Sequence, residues 1–85
     1  MLFTRQAQRD ARKLASASPA LKAKAERLLA LLQSDPFQKP PPYAALVGDL
    51  NGAYSRRMNI QQRLVYQVLE DEQLVKVLRL WSHYA

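Results

Sequence analysis

Pro36, Pro40, Pro41 and Pro42 cut this 85-residue chain into two dissimilar halves. Proline fixes φ and donates no backbone hydrogen bond, so Phe37 to Tyr43 can be neither helix nor inner strand. The stretch reads as an extended crossover, and the apolar pattern changes period across it. Before it, the spacing is helical. Ala7, Ala11, Leu14 and Ala15 recur at helical intervals from Arg5 to about Ala17, with Thr4 placed to cap them. Ser18-Pro19 restarts the chain, serine as N-cap and proline at the first helical position. Leu21, Ala25, Leu28, Leu29 and Leu32 then stripe a second helix until Ser34-Asp35-Pro36 stops it. After the crossover the period is two. Tyr54, Arg56, Met58 and Ile60 alternate with Ser55, Arg57 and Asn59, and Gln62 to Leu69 is rich in Val, Leu and Tyr. Glu70-Asp71-Glu72 makes a polar turn before a third run, Leu74 to Trp81, while Gly48-Asp49 and Asn51-Gly52 mark turns upstream. Leu2-Phe3 reads as the end of a short strand. The expectation is one α+β domain over 1–85, two N-terminal helices packed on one face of a twisted antiparallel β-sheet. The sheet's other face is then open for function.

A chain this short buries roughly 60–65% of its unfolded surface, enough for a single core. Apolar residues at 48% and charged residues at 24% are ordinary globular values, not those of a disordered chain. The absence of cysteine excludes disulfide scaffolds, thiol catalysis and thiolate-held zinc. With one histidine and scattered acids, nothing has metal-ligand spacing, so no metal or cofactor is expected. No apolar run nears membrane-spanning length and no signal peptide opens the chain, which reads as soluble and cytoplasmic, with no membrane partner. Thirteen Lys and Arg against seven Asp and Glu give a net charge of +6. Such a balance favours a polyanionic partner, although small domains also carry charge simply to stay soluble. Arg56, Arg57 and Arg63 form the most suggestive local cluster.

Alternation sorts these side chains by face. Arg57 falls with Ser55 and Asn59, Arg63 with Val65 and Gln67, and Arg79 with Trp81 and, by extension, His83. Antiparallel pairing can bring Arg57, Arg63 and His83 together at one end of the sheet. Two guanidiniums and an imidazole suit a phosphodiester: the first hold the phosphate, and the second moves a proton near neutral pH. Plainer readings compete. A histidine near a C-terminus is commonly a solvated surface group, and Arg56-Arg57 suits an edge strand guarded against aggregation. Tyr66 and Trp81 fit core or cover positions, and Lys22, Lys24 and Arg27 an ordinary wet helix face.

The stretch Asn51 to Val68, NGAYSRRMNIQQRLVYQV, and the tail Leu78 to Tyr84, LRLWSHY, resemble the YoeB/Txe toxins of the RelE-like group. The opening FTRQAQRDA and the DPF…PPPY crossover fit as well, so the resemblance covers essentially the whole chain. It implies the toxin of a type II toxin–antitoxin pair: a metal-independent endoribonuclease that enters the ribosomal A site and cuts mRNA. It also implies a YefM/Phd-like antitoxin as partner beside mRNA and ribosome, with a homodimer as a further assembly. By motif position Arg63 matches the phosphate-stabilising arginine, His83 the general acid and Tyr84 the tail aromatic that orders the site. Arg57 matches a second basic residue, a cation beside the scissile phosphate, and Arg56, Arg57 and Arg63 make the RNA-binding set.

One departure is chemical. Where the family carries a glutamate as general base, this chain has Ala44, which accepts no proton. Gln62 replaces a frequent histidine before Arg63, and the first strand is a few residues short. Ala44 reads either as natural divergence or as a substitution that disarms a toxic protein. Two functions follow: a ribosome-dependent nuclease impaired at its base, or a non-catalytic RNA- or ribosome-binding module. A DNA-binding regulator fits poorly, because Ala17-Ser18-Pro19 lacks the glycine turn of a recognition-helix pair.

Overall fold

The computed structural model describes residues 1–46 and 52–82. Strand β1 (Leu2–Phe3) leads into helices α1 (Arg5–Ala17) and α2 (Pro19–Ser34); β2 (Ala44–Ala45), β3 (Ala53–Arg57), β4 (Arg63–Leu69) and β5 (Leu74–Ser82) follow. Both helices begin where the sequence signals them. Thr4 accepts the Ala7 N–H at 3.0 Å through its hydroxyl oxygen, and its O–H donates to the Leu78 carbonyl at 2.9 Å, so one side chain caps α1 and fastens it to β5. Ser18 serves both helices. Its N–H closes α1 on the Leu14 carbonyl at 3.2 Å, and its hydroxyl accepts the Leu21 N–H at 3.2 Å to open α2.

The sheet order is β1-β5-β4-β3-β2. From β2 to β5 every pairing is antiparallel, as expected of a meander, but β1 lies parallel to β5. The sheet is therefore mixed rather than wholly antiparallel. Hairpin logic governs only strands that follow one another, and β1 reaches β5 from the far end of the chain. Ala7, Leu14, Leu21, Ala25, Leu28 and Leu32 from the helices meet Met58, Leu64, Tyr66, Val75, Val77 and Leu80 from the sheet side in one core. The outer face of the sheet carries Ser55, Arg57 and Arg63.

Two turns end differently from their strand patterns. The run starting at Tyr54 stops at Arg57, because the Asn59 side-chain oxygen accepts the N–H groups of Gln61 and Gln62 at 2.8 and 2.7 Å and closes a tight hairpin. Asn59 thus serves the turn rather than the arginine face. Glu70–Glu72 forms a 3-10 turn that exits through Gln73 at φ 50°. Gly52 sits at φ +79°, a conformation only glycine adopts without strain, and the turn signals at Gly48, Asp49 and Asn51 lie outside the described residues.

Candidate RNA-facing cleft

Ala44 pairs with Ser55 across β2 and β3, Arg57 pairs with Arg63 across β3 and β4, and Arg63 pairs with Ser82 of β5. These registers gather three of the singled-out positions, Ala44, Arg57 and Arg63, into one shallow cleft of about 350 Å³ that Pro42, Tyr43 and Ser55 also line. Arg57 is exposed and Arg63 half-buried. Arg63 donates from Nη1 to Ser55 Oγ at 3.3 Å, which aims its guanidinium along the cleft floor. Like charges directly opposite each other on neighbouring strands repel, so the Arg57–Arg63 pairing favours an anion held between them. Larger hollows, of about 410 and 440 Å³, lie around the β4–β5 turn, and no basic side chain lines either. For a phosphate, the arginine cleft is the place.

Its edge is built by the crossover. A segment of prolines offers carbonyl acceptors and few donors, whereas a guanidinium offers five donors and no acceptor. Arg56 takes up that mismatch. Fully buried, it donates to the carbonyls of Pro36 at 3.0 Å and Gln38 at 2.9 Å, to that of Pro41, and from Nε to Tyr66 Oη at 3.1 Å. Its guanidinium carbon stands 4.9 Å from the centre of the Tyr43 ring, and Tyr43 packs edge-on to Tyr54 at 5.5 Å. Burial pushes the Tyr66 phenol up from its ordinary pKa, against the opposing pull of Arg56. Arg56, which the sequence reading put among the RNA-binding residues, instead points into the protein and holds the crossover that carries Tyr43 and Ala44. Tyr66 is core, as expected.

Arg79 has a partner that alternation along β5 does not reveal. The β4–β5 ladder shifts register between Arg63 and Val65 and again between Val65 and Tyr66, which breaks strict alternation in β5. Arg79 reaches α1, where its Nε donates to Asp10 Oδ2 at 2.8 Å. The Asp10 carboxylate also accepts the Leu80 N–H at 3.0 Å and the Gln6 amide at 3.1 Å. Burial alone would raise the Asp10 pKa, but the hydrogen bonds from Arg79, Leu80 and Gln6 hold it below the ordinary carboxylate value. His83, Tyr84 and the side chain of Trp81 lie outside the described residues.

Sequence reasoning passed over Tyr43 and gave Ser55 no role beyond sharing a face with Arg57. The signal for Ser55 was its period-two relation to Arg57, and for Tyr43 its place beside position 44. Among the described residues no cluster of His, Cys, Asp and Glu could hold a metal ion, and no helix is long and apolar enough to cross a membrane.

Comparison with known proteins bears on the whole chain. The family described as "YoeB-like toxin of bacterial type II toxin-antitoxin system" matches residues 3–84. Toxin YoeB of Mycobacterium bovis is 43% identical over 61 residues, covering 68% of this chain and 66% of that protein, just under two thirds of its length. Among solved structures, a YoeB/ParE toxin from Agrobacterium tumefaciens superposes with a TM-score of 0.88 at 25% identity, covering 98% of this chain and 96% of the other. The toxin chain of a YoeB-YefM complex from Staphylococcus aureus gives 0.83 at 27% identity, covering 98% and 94%.

Proposed function

The chain belongs to the YoeB-like toxin family of bacterial type II toxin–antitoxin systems, and from that membership we propose that it acts on mRNA in the ribosomal A site through the Arg57–Arg63 cleft. The observation that carries this reading is the convergence of Ala44, Ser55, Arg57 and Arg63 on one concavity. In the reaction, the ribose 2′-oxygen attacks the adjacent phosphorus while a base at position 44 takes its proton. Arg63 and Arg57 oppose the charge that grows on the non-bridging oxygens. The 5′-oxygen leaves with a proton from His83, and Tyr84 orders the tail that carries it. No metal takes part. The setting is the translating cytoplasm. A YefM-like antitoxin would cover the basic cleft, in line with the partner in the Staphylococcus aureus complex.

Position 44 holds a methyl group, so the step that removes the 2′-proton is the weak one in this chain. That same observation favours a second reading, RNA or ribosome binding without cleavage. Ala44→Glu separates the two. Ala44 is exposed on edge strand β2, so a carboxylate there enters the cleft without disturbing the core. Mapped cleavage of mRNA in a translating extract should rise ~10²–10⁴-fold with Ala44→Glu and stay low with Ala44→Gln, which is similar in size but a poor base. Equal behaviour of the two variants would refute the missing-base account and leave the binding reading.

A further inference from the structure

Arg5, Arg9, Arg12 and Lys13 fall on one stripe of α1. With 3.6 residues per turn they lie within about 100° of one another around the helix axis. All four are exposed, whereas Ala7, Asp10 and Leu14 turn into the core. The only acid of the helix, Asp10, is buried and pairs with Arg79 of β5. Helix stability does not explain the stripe. Arg5 and Arg9 are four residues apart, as are Arg9 and Lys13, and like charges at that spacing destabilise a helix. Arg5 also sits in the first turn, where the helix end is itself partly positive and no acid compensates.

The stripe carries no apolar anchor. Among the described residues the large exposed hydrophobic side chains are Leu2, Phe3 and Ile60, none of them on α1. A protein partner is held by aromatic or aliphatic groups at the centre of its interface, whereas a phosphate backbone is held by charge alone. With ~1.5 Å of rise per residue, Arg5 to Arg12 spans about 10 Å, long enough for more than one phosphate along a strand. The helices cover the sheet face opposite Arg57 and Arg63, so this surface is separate from the cleft.

We propose that the outer stripe of α1, Arg5, Arg9 and Arg12, binds the phosphate backbone of double-helical RNA as a second RNA-facing surface. A duplex is the fitting form, since its stacked bases leave phosphates and 2′-hydroxyls as the groups a rigid helix can reach. The inference stands apart from cleavage and from position 44.

The test is titration of a fluorescent 20-base-pair RNA duplex with the full chain at several salt concentrations. Replacing Arg5, Arg9 and Arg12 together with Gln should weaken binding ~10-fold or more and flatten the salt dependence by about two contacts. Replacing Lys22, Lys24 and Arg27 with Gln removes the same charge from α2 and should weaken it less than ~3-fold. The α1 variant should melt no lower than the parent, because it loses repulsion. Arg→Lys at the same three positions keeps the charges and should stay within ~3-fold; that arm decides the matter should the Gln variant fold poorly. Equal losses from the α1 and α2 variants would reduce the effect to net charge and overturn the proposal. So would loss of duplex binding with Arg57→Gln and Arg63→Gln alone. A defect of the α1 variant for polyglutamate but not for duplex would instead make the stripe a protein-docking face.

Discussion

Arg56 and Arg57 are neighbours on β3, identical in charge and reach, yet the strand pleat sends them to opposite sides. Arg56 is fully buried and spends its donors on crossover carbonyls and the Tyr66 hydroxyl. Arg57 is exposed and stands opposite a second arginine, Arg63. The contrast teaches that what waits on each face, not residue type, decides an arginine's work. On the inner face, prolines leave acceptors without donors, and a guanidinium completes the structure. On the outer face, two guanidiniums stand directly opposite each other, and the cleft they line suits an external anion.

The comparison breaks most easily at Arg56. Arg56→Met keeps length and removes every donor, leaving several buried carbonyls and the Tyr66 hydroxyl short of partners. At about 1–3 kcal/mol for each buried polar group left unpaired, with partial relief by water, the loss should reach about 3 kcal/mol or more. That is a large share of the stability of an 85-residue domain. Urea denaturation should show a markedly lower midpoint, with Arg56→Lys between Met and the parent, since ammonium lacks the planar fork. A Met variant as stable as the parent would mean that the crossover holds itself.

Arg63 gives the outward counterpart. In an Ala44→Glu background, Arg63→Lys should lower cleavage ~10²-fold, because a point charge loses the bidentate hold on the phosphate. Its urea midpoint should scarcely move. If cleavage persists at full rate, Arg63 contributes charge without geometry.

Much of this was legible before any coordinates. Helix limits followed from Thr4, Ser18-Pro19 and Asp35-Pro36, because caps and prolines act through the local backbone. The family resemblance was confirmed over residues 3–84. Arg56 was legible too, had the alternation been followed through: it shares parity with Tyr54 and Met58, which pack in or against the core. Charge drew attention outward when the pleat pointed inward. Arg79 was not legible. Its place depends on register shifts in the β4–β5 ladder and on an aspartate 69 residues away, neither of which leaves a local trace. The parallel entry of β1 was hidden for the same reason: it is decided between the two ends of the chain.

Asp10–Arg79 sharpens the comparison with an arginine that has a carboxylate to meet. Asp10→Asn keeps the shape and removes the charge, and should cost about 1–2 kcal/mol near neutral pH. The sign with pH follows from the depressed pKa of Asp10. As acid is added, the unfolded chain takes up this proton first, near its ordinary pKa of about 3.9. The contribution is full above that value and fades as pH falls through the lower pKa of the folded state. Parent and variant should therefore differ in urea midpoint at pH 7 and converge in acid. A gap that persists at the lowest pH would assign the cost to shape rather than charge.

Arg57→Gln should produce the smallest change, and its smallness is what tests the contrast with Arg56. Arg57 is exposed, so its loss uncovers no buried acceptor. It faces Arg63 directly, so its loss also relieves a cross-strand repulsion. Stability should stay within about 0.5 kcal/mol of the parent or rise slightly. Single-stranded RNA should bind a few-fold more weakly, with the log–log salt slope reduced by about 0.7, the value for one phosphate contact on a single strand. The two arginines then separate on two axes: Arg56→Met shifts the urea midpoint, and Arg57→Gln shifts the salt slope. If Arg57→Gln destabilises the fold as Arg56→Met does, the two faces of β3 are not independent, and the cleft is part of the scaffold rather than a surface waiting for an anion.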